Sequence, residues 1–281
     1  MTTRNQPFEP FPAAGRPSPA RKVLASGWAR GVIGVLVAVL LAQALGATGV
    51  INQSVVPTAF SVLGSAAGLL GNTTFLGDVG STLEAWAAGL AIAVAVAVPC
   101  GLVLGSVPVV RSGTRAIVEF LRPIPSVALI PLALLVLGPG MRTNITLIVY
   151  ASVWPVLFNT IYGLDDVDPV AKETLRAFGF GRLAVILRVG LPAASPFIAT
   201  GIRLASSIAI ILNIGTGVLT GHINGNGIGA FISDLNNATI STTQVLAAAL
   251  WAGVLGLALN ALLVWAERRI LPWHRAYFGE A

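Results

Sequence analysis

The chain holds only two lysines, Lys22 and Lys172. A phosphate-cradling loop needs Gly-x-x-x-x-Gly-Lys-Ser/Thr, so that backbone amides ring the phosphates and the lysine reaches them. Neither lysine stands in that context, so the chain has no such nucleotide site. Cys100 is the single cysteine, which leaves neither a disulfide framework nor a Cys-based metal site available, and the sequence distance between His222 and His274 argues against a His cluster. The Gly-x-Gly-x-x-Ala match at 225–230 has no strand before it, and reads as a glycine-rich loop or re-entrant turn rather than a dinucleotide fingerprint. What remains is polar residues set inside apolar runs. At a helical step of about 100° per residue, Arg203, Ser206, Ser207, Ile210, Asn213 and Gly217 fall on one stripe. Polar groups are costly in hydrocarbon, so the stripe faces protein or water. It either lines a pathway, with Arg203 offering charge to an anion, or packs against neighbouring helices with Arg203 reaching the interface. Asn159 with Ser152, and Asn260, admit the same two readings.

These residues are carried by an apolar chain. Charged residues are 10% of the 281 and apolar residues 55%, with a mean hydropathy of +0.84. Soluble domains carry about 25% charged residues, so the composition is that of an all-α integral membrane protein. A crossing helix needs about 20 mostly apolar residues. Such runs lie near 31–47, 80–105, 120–139, 144–163, 193–219 and 243–266, giving about six transmembrane helices. The run 120–139 contains Pro123, Pro125, Pro131 and Pro139, and is expected to be kinked or to begin with a non-helical entry. Residues 1–30 read as a cytoplasmic, largely disordered tail, 31–266 as the membrane domain and 267–281 as a second tail. The small-x-small pattern Ala42-Gln43-Ala44 mimics a cleavage site, but the long proline-rich approach favours an uncleaved first helix. Segment 55–70 is too short and broken for a span, and reads as a surface helix or a folded outer loop. Gly101-x-x-x-Gly105 permits close helix packing. In a chain with 31 glycines, a dedicated subunit contact there is the less economical reading.

The net charge of +6 does not point to nucleic acid, because the basic residues flank spans. Fifteen of the seventeen fall in the tails and in the 106–122 and 164–192 loops, which share one face if there are six spans. Arg142 lies on the other face and Arg203 inside a span. Basic residues stay on the cytoplasmic side, so both termini are expected there.

The loop 164–192 is the one amphipathic, charged stretch between spans. Asp168 suits an N-cap and Pro169 the first helical position, with Gly179 as a stop. A helix over 169–178 places Val170, Thr174, Leu175 and Phe178 on one side, with Lys172 and Arg176 on another. A second short helix over about 182–190 groups Leu183, Ile186 and Leu187 before Leu191-Pro192 leads into the next span. Two such helices make either a docking element or a linker lying on lipid headgroups.

The spacing of Glu173, Gly179, Val189, Leu191 and Pro192 resembles the cytoplasmic loop of type I ABC importer permeases. Their pattern is Glu-Ala-Ala, three residues, Gly, nine residues, Ile-x-Leu-Pro. Thr174 and Leu175 replace the two alanines and Val189 the isoleucine. The stretches 120–140, 165–182, 191–205 and 267–273 resemble the permeases of the nitrate, sulfonate and taurine group. The resemblance implies a homodimeric pore in a bacterial plasma membrane, two cytoplasmic ABC ATPase subunits holding ATP and Mg, and an external substrate-binding protein. The chain itself would be non-catalytic and bind no cofactor. Leu175 and Phe178 would be its apolar contacts with the ATPase, and Glu173 and Arg176 its polar ones. Gly179, Leu191 and Pro192 would tie the element to the membrane. Arg203, Ser207, Asn213 and Asn159 are the pathway candidates. The cargo would be a small anion such as a sulfonate, taurine or nitrate, or else a vitamin or pyrimidine precursor. A proton-coupled secondary transporter would be expected to carry a chain of acidic residues within its spans and often an inverted repeat, and neither is evident. A membrane scaffold or sensor would carry a substantial soluble domain, which these 281 residues do not contain.

Overall fold

The computed structural model describes residues 27–47, 57–121, 123–237 and 242–271. Most of the expected N-terminal tail, Arg122 and positions 272–281 lie outside the described residues. The chain forms two units, 1–60 and 61–281. In the first, α1 (Gly27–Ala47) coincides with the predicted opening run. α2 (Ala59–Leu69) begins at the boundary, where the sequence left a surface helix and a loop as alternatives; it is a helix.

Among the described residues, four helices of the second unit are long and apolar enough to cross a membrane: α3 (Thr73–Ser106), α6 (Met141–Asp165), α8 (Arg182–Thr220) and α10 (Thr242–Ile270). Asn72 starts α3 by accepting hydrogen bonds from the Thr74 and Phe75 amides at 3.0 and 3.1 Å. Down α3, Gly89, Ala93, Ala97 and Gly101 recur every four residues and are all buried. That spacing puts them on one ridge, where the absence of bulk lets two backbones approach closely. A Cβ added at Gly101 would lie 2.6 Å from Thr160 Cβ, and one at Gly105 2.7 Å from Leu164 Cδ1. The Gly101-x-x-x-Gly105 pattern therefore packs against α6 of the same chain. α8 closes the core from the other side. Gly201 leaves room for Asn159, Pro155 and Val156 of α6, and Trp86 Nε1 donates to Ser206 Oγ at 3.1 Å.

The predicted 120–139 run proves to be the second half of a longer segment, broken at its prolines. α4 (Pro108–Leu121) is followed by a 3-10 turn (Ser126–Leu129) and by α5 (Ile130–Leu137). α6 serves as a ruler alongside it. Arg111 at the start of α4 pairs with Asp165 at one end of α6 through two bonds of 3.0 and 2.9 Å. Tyr150, fifteen residues back, donates to the Leu121 carbonyl at 2.8 Å. Ile130 packs with Leu147 and Ala151, and Thr143 donates to the Gly138 carbonyl. The 108–138 segment thus runs antiparallel to the whole of α6, whose 25 residues rise about 37 Å, more than the hydrocarbon thickness of about 30 Å. Pro123 and Pro125 fall at the break, as the proline content anticipates. The sequence reading, however, left α4 in a basic loop. Its charges at 111 and 119 lie toward one side of the helix, which lowers the average hydropathy of the segment without preventing a helix.

α7 (Pro169–Ala177) and α9 (Ile228–Asn237) complete the unit. α9 lies along the end of α8. Gly217 meets Gly229, Gly221 meets Ser233 and His222 pairs with Asp234, each twelve residues apart, so α9 retraces the direction of the end of α8. The intervening turn, residues 221–227, therefore doubles back, as a re-entrant turn does.

Candidate functional site

At the Asp165 end of α6 the chain builds a short, stiff helix with an apolar side left open. Asp168 Oδ1 accepts from the Val170 amide at 2.8 Å, and Pro169 stands where no amide is needed. At the other end Gly179 takes φ +82°, its amide bonds to the Arg176 carbonyl at 2.9 Å, and Phe180 bonds to Leu175 at 3.1 Å. That pair of bonds closes the helix and satisfies carbonyls that would otherwise be orphaned. Lys172 Nζ donates to the Leu164 carbonyl at 2.8 Å, pinning α7 to the last turn of α6, where a cation also suits the helix dipole. Glu173, Arg176 and Gly179 are exposed, and Leu175 is half-buried. Phe178 is 78% exposed and Val170 66%.

The second helix of the loop is not separate. Residues 182–190 continue without interruption into the span, and α8 runs 39 residues. The join is a π-helical stretch, Ile186–Gly190, in which the Leu191 amide donates to the Ile186 carbonyl five residues earlier. Pro192 has no N–H to offer the Arg188 carbonyl, so the regular ladder cannot continue there, and the wider turn carries the helix across. Leu183 and Leu187 are exposed on this extension, 68% and 50%. Arg188 stacks over the Phe180 ring, 4.8 Å from its centroid, holding the connection between α7 and α8.

The pathway candidates are not gathered into one site. Gly201 faces Asn159 on α6, whereas Arg203 lies about 200° around α8 from Gly201. There Arg203 Nε stands 3.3 Å from Glu267 Oε2 of α10. Oε2 has no hydrogen-bond partner, so the attraction is Coulombic rather than a directed bond. Asn159 Nδ2 is taken by the Pro155 carbonyl at 2.8 Å. Ser207 is exposed and donates to the Arg203 carbonyl at 3.2 Å.

Asn213 belongs to a buried polar layer near the Met141 end. Its Nδ2 donates to the Thr82 carbonyl at 3.0 Å and its Oδ1 accepts from Asn144 Nδ2 at 2.9 Å. One residue thereby bolts α3, α6 and α8 together. Thr82 Oγ1 donates to the Asp78 carbonyl at 2.9 Å and accepts from the Ile228 amide, also at 2.9 Å. Asp78 Oδ1 accepts from the Gly227 amide at 2.9 Å. Asp78, Thr82 and Asn144 were not singled out from the sequence. The available signal was the four-residue spacing of Asp78 and Thr82, obscured because the apolar run was begun at residue 80. Among the described residues no group of three or more His, Cys, Asp or Glu could hold a metal ion.

Comparison with known proteins adds the family. A model described as "Binding-protein-dependent transport system inner membrane component" matches residues 97–272. The nitrate import permease protein NrtB of Leptolyngbya laminosa is 29% identical over 195 residues, 69% of this chain and 68% of that protein. A Bacillus subtilis permease protein, SsuC, named for aliphatic sulfonates transport, is 28% identical over 268 residues, 95% of this chain and 94% of its own length. The fold matches the crystal structure of a bacterial alginate ABC transporter in complex with its alginate pentasaccharide-bound periplasmic protein. There the TM-score is 0.61 at 16% identity, over 90% of this chain and 96% of that one.

Proposed function

Because the chain belongs to the family of binding-protein-dependent transport system inner membrane components, and is a permease subunit of an ABC importer, we propose that a separate ATPase drives it through α7. The observation that carries this reading is the exposed Phe178 at the end of a helix capped at both ends and pinned to α6 by Lys172. An apolar side chain left in water is a candidate contact for a partner, and a capped, braced helix transmits force instead of absorbing it. Phe178 and Leu175 enter the partner's groove, while Glu173 and Arg176 make the polar contacts. Gly179 sets the corner, and Leu191 and Pro192 carry the motion into α8.

Two copies of the chain form the pathway, with two cytoplasmic ABC ATPase subunits binding ATP and Mg and an external protein delivering the cargo. Both termini and the 164–192 loop face the cytoplasm, which puts the Met141 end outside. The cargo is a small anion of the nitrate, taurine or sulfonate kind, a reading supported by the names of the nitrate and sulfonate relatives. Arg203 faces Glu267, so its charge is already partly answered. Among the pathway candidates, Ser207 is the one left exposed on α8. Asn213 and Asn159 shape the route by holding helices in place.

The test is the Phe178→Ala variant, reconstituted with its ATPase and binding protein. Uptake is expected to fall at least about tenfold, the effect of losing a buried aromatic anchor at an interface, with the permease inserted at normal abundance. Coupled uptake at the wild-type rate would sink the assignment. Stoichiometric co-purification of an ATPase separates this reading from a self-sufficient secondary transporter.

A further inference from the structure

We propose that Asp78 and Thr82 are positioning residues for transport, pinning the segment 225–230 across the Met141 ends of α3, α6 and α8 so that entry stays closed until ATP is engaged. The segment cannot hold itself. A helix begins with amides that have no partner inside it, and a buried amide has no water to turn to instead. The two amides that open α9, Gly227 and Ile228, are satisfied by Asp78 Oδ1 and Thr82 Oγ1, both at 2.9 Å and both from a helix nearly 150 residues earlier. The carboxyl of Asp78 also sits at the positive end of the α9 dipole.

The same two residues join the segment to the core. Thr82 offers its carbonyl to Asn213, which is held in turn by Asn144 of α6. On the far side of the turn, a Cβ at Gly225 would lie 3.6 Å from the Met141 amide nitrogen. The segment therefore bridges the start of α6 and the first turns of α3, capping the layer formed with α8. Its shape depends on Gly225 and Gly227, at φ +101° and +154°, which are conformations that other residues rarely adopt. Close contact of Gly217 with Gly229 seats α9 on α8. Asp78 is 3% exposed, yet its Oδ2 has no hydrogen-bond partner in the protein. That second oxygen can receive the Gly227 amide if the segment shifts, which makes the grip movable without leaving the amide orphaned.

The inference rests on the importer reading with the Met141 end outside, so its test separates the two. A cysteine at position 228 (Ile228→Cys, with Cys100→Ser) reports the segment, because Ile228 is fully buried. The complete importer is reconstituted, and labelling by a membrane-impermeant maleimide is measured beside ATP hydrolysis without the external binding protein. With Asp78→Ala or Thr82→Val, labelling is expected to rise about tenfold, as for loss of a strong local hydrogen bond. Hydrolysis is expected to rise severalfold, and Asp78→Asn and Thr82→Ser, which keep an acceptor, should restore wild-type behaviour. Unchanged labelling overturns the proposal. So does a rise in labelling with hydrolysis falling to background, which is the mark of simple misfolding. A wild-type complex that hydrolyses no ATP with its partner present overturns the importer reading instead.

Discussion

An aspartate starts a helix at each end of this molecule, and the two do so at very different range. Asp168 caps α7 from one residue before it, over two residues of chain, in the open. Asp78 caps α9 from another helix, 149 residues away, with almost no exposure. Glycines with positive φ flank both helices, Gly179 just after α7 and Gly225 and Gly227 just before α9. At the Asp165 end the cap makes a helix that keeps its shape while presenting side chains outward. At the Met141 end it makes a helix that has no position without its neighbours. Equivalent chemistry serves autonomy in one place and dependence in the other.

That contrast orders the expected effects of substitution. Gly229→Val should be the most damaging, because a Cβ there runs into the Ile214 carbonyl and the Gly217 backbone, neither of which can yield. A loss of about 3 kcal/mol or more, or failure to insert, is expected in thermal denaturation of the detergent-solubilised protein. Asp78→Ala should follow at about 2 kcal/mol, the cost of leaving a buried amide unpaired. Asp168→Ala should cost about 1 kcal/mol, an ordinary exposed cap, and is best read from hydrogen exchange of the α7 amides. Gly179→Ala has open space around it and only its φ of +82° to contend with, so a local cost of about 1 kcal/mol is expected. Phe178→Ala should leave the melting temperature unchanged within error, since the ring is 78% exposed, while uptake falls. Should Asp78→Ala prove no worse than Asp168→Ala, the difference in range between the two caps would have no energetic meaning.

The same contrast explains what could be read in advance. The α7 signals, Asp168, Pro169 and Gly179, lie within twelve residues and act on the two ends of one helix, so the chain alone discloses them. The long spans were legible from apolar length, and the proline break between α4 and α5 from Pro123 and Pro125. α4 itself was not, because its charged face at Arg111 and Glu119 averages away against Val109, Ile117 and Phe120 on the other side. Asp78, Thr82, Asn144 and Asn213 were beyond reach as a set. Each is an ordinary polar residue until three helices bring them to one level. The separate helix expected over 182–190 failed for a related reason. Pro192 reads as a break, and only the backbone shows that a wide turn absorbs it.

That wide turn also fixes an angle. Each residue of an α-helix advances about 100° around the axis, and a π-turn takes up one residue beyond the regular count. The stretch Ile186–Gly190 therefore sets the phase between Leu183 and Leu187, which face out beside α7, and Arg203 and Ser207 farther along the same rod. Because α8 is unbroken over 39 residues, about 58 Å, that phase is carried along its full length. If α7 takes up a partner's push as proposed, that push would arrive at the far end of α8 as a turn of a defined sense, much as a keyway holds a shaft to its gear.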